Sequence, residues 1–181
     1  MLNQENCLFF IVDLQEKLIN AAFNKDIIEK NSSILEKAAN ILNIPVLVSE
    51  QYPKGLGGTI DEIATNLDST NTHYYEKTTF NALCVDEIKK QLMDYGKKQI
   101  VIFGIETHIC VYQTTQALIE EGYEVIVIKN ACGSRTPDEY TSALECMKEN
   151  AAIIKTTEMV LFELLKVAKH PKFKEIQSLI K

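Results

Sequence analysis

Three side chains in this 181-residue sequence have the types that covalent catalysis needs: Cys110, Asp13 and Lys77. A cysteine supplies a nucleophile, a carboxylate accepts its proton, and an ammonium group steadies the resulting thiolate. Taken singly, each has a plainer reading. Cys110 can be a small buried hydrophobe, Asp13 can cap a following helix, and Lys77 can be a solvated lysine at a strand end. Their joint meaning depends on the elements that position them.

Cys110 follows an apolar, β-branched run over residues 99–103 that Gly104 interrupts. Thr107 is expected to cap a helix with an apolar face of Val111, Leu118 and Ile119, closing at Gly122. That puts Cys110 in the first helical turn. Outward-pointing N–H groups and the helix dipole there are expected to lower a thiol pKa. Asp13 follows the continuous apolar run Cys7–Val12, the signature of a strand buried on both faces. Lys77 ends a short strand over residues 73–77.

Between these lie further elements. A helix after Asn24 presents Ile27, Ile34, Leu35, Ala38, Ile41 and Leu42, ends at Asn43, and leads into a strand over residues 45–49. Residues 50–59 form a glycine-rich loop that matches neither G-x-G-x-x-G nor a P-loop, so phosphate binding is not indicated. Asn81 caps a helix carrying Val85, Ile88 and Leu92. Residues 124–128 form a fifth strand and 130–135 a loop. Thr136-Pro137-Asp138-Glu139 is a strong helix start, with Leu144 and Met147 inward. A weaker strand over residues 151–155 precedes a helix from Thr157 and a short last helix around Phe173.

Strands and helices alternate throughout. The expected fold is α/β: a three-layer sandwich with a six-stranded, mostly parallel sheet and helices on both faces, in one domain over residues 1–181. Ligands of such sheets bind beyond the carboxyl ends of the strands, near a switch in strand order. Asp13, the 50–59 loop, Lys77 and residues 104–110 all sit at such ends and are expected to converge.

Composition narrows the partners. The chain is 46% hydrophobic and carries 19 basic against 25 acidic residues, a net charge of −6 without a basic cluster, so nucleic acid is not an expected partner. No apolar run reaches the roughly 20 residues of a membrane span, and the first residues lack the basic n-region of a signal peptide. Cys7, Cys84, Cys110, Cys132 and Cys146 are widely spaced with no C-x-x-C, which argues against disulfides and a cysteine zinc site and for a reducing, cytoplasmic compartment. His73, His108 and His170 have no ligand spacing, so no metal and no cofactor is expected. His108 and Cys110 are two apart at a helix start and do not face each other. Arg135, the only arginine, serves either an ion pair or an anion at the site mouth.

Several segments in order carry a family resemblance: Asp13-Leu14-Gln15 after an apolar strand, Lys77 ahead of Phe80, and residues 104–111, GIETHICV. With Glu50-Gln51-Tyr52-Pro53, Gly55-Leu56-Gly57, Ala131-Cys132, Ser134-Arg135 and the tail from His170 to Gln177, the chain resembles the isochorismatase-like cysteine hydrolases, and within them the isochorismatase domain-containing proteins. The resemblance implies a triad of Asp13, Lys77 and Cys110. It also implies a cis peptide between Ile105 and Glu106 and an oxyanion hole from the N–H groups of Glu106 and Cys110. Substrate-side positions are Gln15, Tyr52, Leu56, Phe80, Ile105 and His108. The implied activity is hydrolysis of a small-molecule amide, ureide or ester through a thioester. In the vinyl-ether branch the nucleophile position is typically not cysteine. The nicotinamidase metal site has no counterpart in residues 49–55. A homo-oligomer, dimer or tetramer, is implied as well. Two other readings stand beside the enzyme: a non-catalytic scaffold of the same fold, and a redox sensor, for which no resolving cysteine is apparent.

Overall fold

In the computed structural model, which describes residues 1–181, six strands form one sheet: β1 (Cys7–Val12), β2 (Val46–Gln51), β3 (Thr72–Lys77), β4 (Gln99–Ile105), β5 (Glu124–Gly133) and β6 (Ile153–Lys155). Their order is β3-β2-β1-β4-β5-β6, and every pairing is parallel. All six residues of β1 and all seven of β4 are buried, as central parallel strands require. Phe9 and Phe103 meet edge to face between them, with ring centroids 6.2 Å apart. From β1 the chain builds outward to β2 and β3, then returns to start β4 on the other side. The switch point is the crevice between the carboxyl ends of β1 and β4, where Asp13 and the 104–110 turn leave the sheet.

The helices are α1 (Glu16–Asn20), α2 (Lys25–Leu42), α3 (Pro53–Leu56), α4 (Asp61–Ala64), α5 (Asp86–Tyr95), α6 (Tyr112–Glu120), α7 (Pro137–Glu149), α8 (Thr157–Leu165) and α9 (Phe173–Ser178). α2 packs on β5, α8 and α9, while α6 packs on β5 and α7. α2 closes at Asn43, whose left-handed backbone lets its N–H reach the Ala39 and Asn40 carbonyls. Thr136 caps α7 by accepting from the Glu139 N–H at 3.3 Å. Asn81 caps a 3₁₀ turn, Ala82–Cys84, ahead of α5.

The structure departs from the sequence reading in three places that matter for the site. β5 runs on to Gly133 instead of ending near Ile128. After a register shift, Cys132 and Gly133 pair with Gly104 and Ile105, so Cys132 is strand core rather than loop packing. On α2, Ile28 rather than Ile27 points inward, and its Cδ1 fills the space a Cβ on Gly133 would take. A short α1, unmarked by hydrophobic periodicity, follows Gln15 directly.

One buried charge predicts how stability varies with pH. Glu36 on α2 is fully covered, its Oε1 accepts from Asn40 Nδ2 at 3.0 Å, and its Oε2 has no partner. Burial pushes its pKa up to about 7, against the pull of Lys37 and Asn40. The folded chain therefore holds a proton there that the unfolded chain has released above its ordinary 4.5. Stability falls as pH rises between those values. Glu36→Gln is expected to raise the melting temperature at pH 8 and to change it little at pH 5, measured by thermal denaturation of both proteins.

Candidate active site

Asp13 leaves β1 with a left-handed backbone, φ 51°. Its N–H still bonds the Ser49 carbonyl on β2 at 3.0 Å, while its own carbonyl accepts from the Gln15 N–H at 2.7 Å. This tight reversal aims the carboxylate across the ends of β2 and β3 instead of along α1, and no cap is made. Ser49 Oγ donates to Oδ1 at 2.7 Å, and Lys77 Nζ donates to Oδ2 at 2.6 Å. Both side chains of the Asp13–Lys77 pair are fully buried. Lys77 is the last residue of β3, in register with Gln51. Its remaining donors go to Gln51 Oε1 at 2.7 Å and the Thr79 carbonyl at 3.2 Å. The ammonium group is thus held by three oxygens of the protein.

Cys110 is brought to this pair by the end of β4. Gly104 has φ +137°, and a Cβ there would stand 1.9 Å from the Val12 carbonyl oxygen. Only glycine lets β4 pass this close to the end of β1. The next peptide bond, Ile105–Glu106, is cis. Residues Thr107–Val111 then form a π-helical turn, in which the Val111 N–H reaches five residues back to the Glu106 carbonyl at 3.1 Å, before α6 begins at Tyr112. Thr107 was expected to cap an α-helix, but it lies inside the wider turn with its hydroxyl buried and unpartnered. Cys110 is 5% exposed and stands beside Asp13 and Lys77, close enough for both to act on its ionisation.

The electrostatics differ from the simple helix-turn picture. Burial holds the Asp13 carboxyl above the usual carboxylate range, although Lys77, Ser49 and Cys110 all pull it down. The Cys110 thiol is pushed up to about 12, first by burial and then by the negative charge of Asp13, while Lys77 pulls the other way. The direction is opposite to the lowered thiol pKa expected from the turn, because loss of hydration and the charge of Asp13 outweigh the ammonium of Lys77. A protonated thiol facing a carboxyl group of raised basicity is suited to transferring its proton as it attacks an electrophile.

Of the substrate-side positions, the structure gathers some and sends others elsewhere. Gln15 is fully buried and committed to the neighbouring loop: its Oε1 accepts from the Gln51 N–H at 2.6 Å, and its Nε2 donates to the Gln51 and Gly57 carbonyls at 3.0 and 2.6 Å. It braces residues 51–57 and lines no open wall. Tyr52, 55% exposed and held at φ 38°, lines a cleft of about 350 Å³ with Pro53, Lys54, Glu76, Lys77, Thr78 and Val85. Leu56 is half-buried beside it, and Phe80 is exposed. Ile105 is fully buried in the core, so it meets no ligand through its side chain. His108 faces away from Cys110: its Nδ1 lies 3.0 Å from Ser134 Oγ, and its Nε2 is 3.9 Å from Glu139. Arg135 pairs with Glu106, Nε to Oε1 at 2.7 Å.

Ser49, Gln51 and Ser134 hold Asp13, Lys77 and His108 in place, a role the sequence reading did not assign, although Gln51 and Ser134 stand in segments that carry the resemblance. Ser49 and Gln51 were visible as polar residues closing an apolar strand, at the alternate positions that share a face. No three His, Cys, Asp or Glu side chains come together in an arrangement that could hold a metal ion. No helix is long and apolar enough to cross a membrane.

The isochorismatase domain pattern matches residues 7–159. The chain belongs to the isochorismatase family. It is 38% identical to isochorismatase family protein 1A of Dictyostelium discoideum, over 98% of this chain and 87% of that one. It is 40% identical to isochorismatase domain-containing protein 1 of Danio rerio, over 99% of this chain and 62% of that longer one. Among solved structures, the MAR1 ribonuclease of Caenorhabditis elegans superposes with a TM-score of 0.93 at 38% identity, covering 99% of this chain and 91% of that one. The architecture is that of the isochorismatase-like hydrolases, and family membership supports hydrolase-type chemistry.

Proposed function

We propose that this family member is a cofactor-free cysteine hydrolase that cleaves an amide, ureide or ester bond of a small molecule. The observation that carries this reading is the buried Asp13–Lys77 ion pair at the switch point of the sheet, with the buried Cys110 beside it. In the proposed reaction Asp13 takes the thiol proton as Cys110 Sγ adds to the carbonyl carbon. The oxyanion is held by the N–H groups of Glu106 and Cys110. The C–N or C–O bond then breaks, and Asp13 returns the proton to the leaving amine or alcohol. Water gives a proton to Asp13 and its oxygen to the thioester carbonyl. The C–S bond breaks, and the sulfur regains its proton. A carboxyl held above its ordinary range by burial fits a group that must both take and give a proton. Tyr52 and Phe80, with Leu56, are the positions assigned to flank the substrate.

The family match over most of the chain supports treating residues 1–181 as one functional domain. Five free cysteines support a reducing, cytoplasmic setting. Exposed Met159, Phe162 and Val167 support association into a homo-oligomer, a dimer or tetramer.

The test is a panel of small amides, ureides and esters with wild-type protein and Cys110→Ala. Turnover in the wild type is expected, with a loss of at least about a thousandfold in the variant and an acyl adduct on Cys110 by mass spectrometry. Turnover that survives Cys110→Ala overturns the mechanism. Absence of turnover across the panel favours the scaffold reading. A short RNA belongs in the same panel, because the C. elegans relative is described as a ribonuclease. A net charge of −6 without a basic cluster sets this chain against phosphate-rich ligands, so the RNA is expected to stay intact.

A further inference from the structure

The backbone of the turn that would form the oxyanion hole is held by the Ile109 and Val111 N–H groups on the Glu106 carbonyl, both at 3.1 Å, but its own side chains add little. The Thr107 hydroxyl, at its centre, is buried without a partner. Glu106 occupies the cap position but makes no side-chain cap. Two consecutive residues just past the end of β5 bond side chains of the turn. Arg135 Nε donates to Glu106 Oε1 at 2.7 Å, and Ser134 Oγ bonds His108 Nδ1 at 3.0 Å. These are the residues on either side of Thr107. We propose that Ser134 and Arg135 are positioning residues, a two-point clamp that fixes the direction of the Glu106 and Cys110 N–H groups.

The clamp is itself anchored. β5 pairs with β4 to the last residue before the cis bond, Ile105 against Gly133. Ser134 is fully buried, and its carbonyl accepts from the Phe23 N–H at 3.0 Å. Just before it, the Cys132 carbonyl accepts from Asn24 Nδ2 at 3.0 Å. The strand end that leads into the clamp, and Ser134 itself, are therefore tied to the loop that precedes α2. His108 also approaches Glu139 on α7, so its ring bridges β5 and α7. The Glu106 side chain is 14% exposed and the Arg135 side chain 61%. An ion pair so open to water adds little to global stability. What it can set is local direction, since a guanidinium held at Nε fixes the carboxylate it touches. The extended course of β5 past its register shift thereby acquires a role: it carries Ser134 and Arg135 to the turn.

The inference rests on the hydrolase reading for its purpose, but two measurements keep the two apart. The first is amide hydrogen exchange in wild type, Ser134→Ala and Arg135→Gln. Exchange of the amides of residues 106–110 is expected to quicken at least tenfold in each variant, with β1 and β4 unchanged. The second compares two reactions at Cys110, each followed by peptide mass spectrometry. Acylation by p-nitrophenyl acetate passes through an oxyanion, whereas alkylation by iodoacetamide displaces iodide without one. The ratio of acylation to alkylation rates is expected to fall at least tenfold in each variant, with partial recovery in Arg135→Lys. Unchanged exchange in both variants, faster exchange across the whole sheet, or a loosened turn with an unchanged ratio would each overturn the clamp. If wild-type Cys110 takes no acyl group, the hydrolase reading falls by itself, and the exchange rates alone decide the clamp.

Discussion

Gly104→Ala is expected to be the most damaging single-methyl change in the chain. A Cβ at this position would lie 1.9 Å from the Val12 carbonyl oxygen, 2.7 Å from its carbon and 2.9 Å from its nitrogen. All three are backbone atoms of a buried central strand, so no side chain can swing aside. The φ of +137° adds a conformation that alanine rarely adopts. Relief would require parting β1 from β4 in the middle of the sheet, where Val12 and Gly104 are in register. A loss of about 3–5 kcal/mol is expected from overpacking and backbone strain together, a large share of a typical domain's stability. Urea denaturation would measure it. A variant within about 1 kcal/mol of wild type would show that the approach of β4 to β1 is softer than this geometry implies.

Lys77→Met is expected to have the second-largest effect, and it should act on stability and reactivity together. Methionine fits the volume but leaves the Asp13 carboxyl buried beside only Ser49 and Cys110. Removing one partner of a buried pair costs about 3–5 kcal/mol when the other charge is left uncompensated. Asp13 will reduce that loss by holding its proton, since burial already raises its pKa. The sign follows. The folded wild type already holds this proton above the ordinary carboxylate value and the variant holds it to higher pH still, so the deficit grows once the pH passes the wild type's own folded value. Lys77→Met should therefore look mildly impaired at pH 5 and severely impaired at pH 8. The double variant Asp13→Asn, Lys77→Met is expected to recover much of the stability, because a neutral pair needs no counter-charge. It should recover none of the Cys110-dependent turnover. Equal stability of the single and double variants at pH 8 would mean the pair is not the coupled unit its geometry indicates.

Much of this arrangement was legible in the residues. The apolar run ending at Val12 announced a central strand, and Asp13, Lys77 and Cys110 fell at strand ends because strands and helices alternate. Convergence at a switch point followed from the topology of parallel sheets. What was not legible has physical causes. The π-turn needs one more residue per turn than an α-helix, and THICV carries no mark of that choice. The second half of β5 reads as a loop because Asn130 and Gly133 are turn-forming types, and only the pairing with β4 after the register shift makes this stretch strand. The Cys110 pKa went the other way because dehydration depends on how chains close over a thiol, which spacing does not encode. Gln15 looked like a ligand-facing polar residue, and its partners, the Gln51 and Gly57 backbones, lie 36 and 42 positions away.

The full occupation of Lys77 has one more consequence. Its three N–H bonds already end on Asp13, Gln51 and Thr79. A molecule entering the site can feel that positive charge but cannot grip it, because no hydrogen of the ammonium is left to donate. An inhibitor designed with a carboxylate or phosphate to anchor on this lysine would find no docking point there. A compact, uncharged electrophile that presents its carbonyl oxygen to the turn would suit the site better, and such warheads are where a search for ligands should begin.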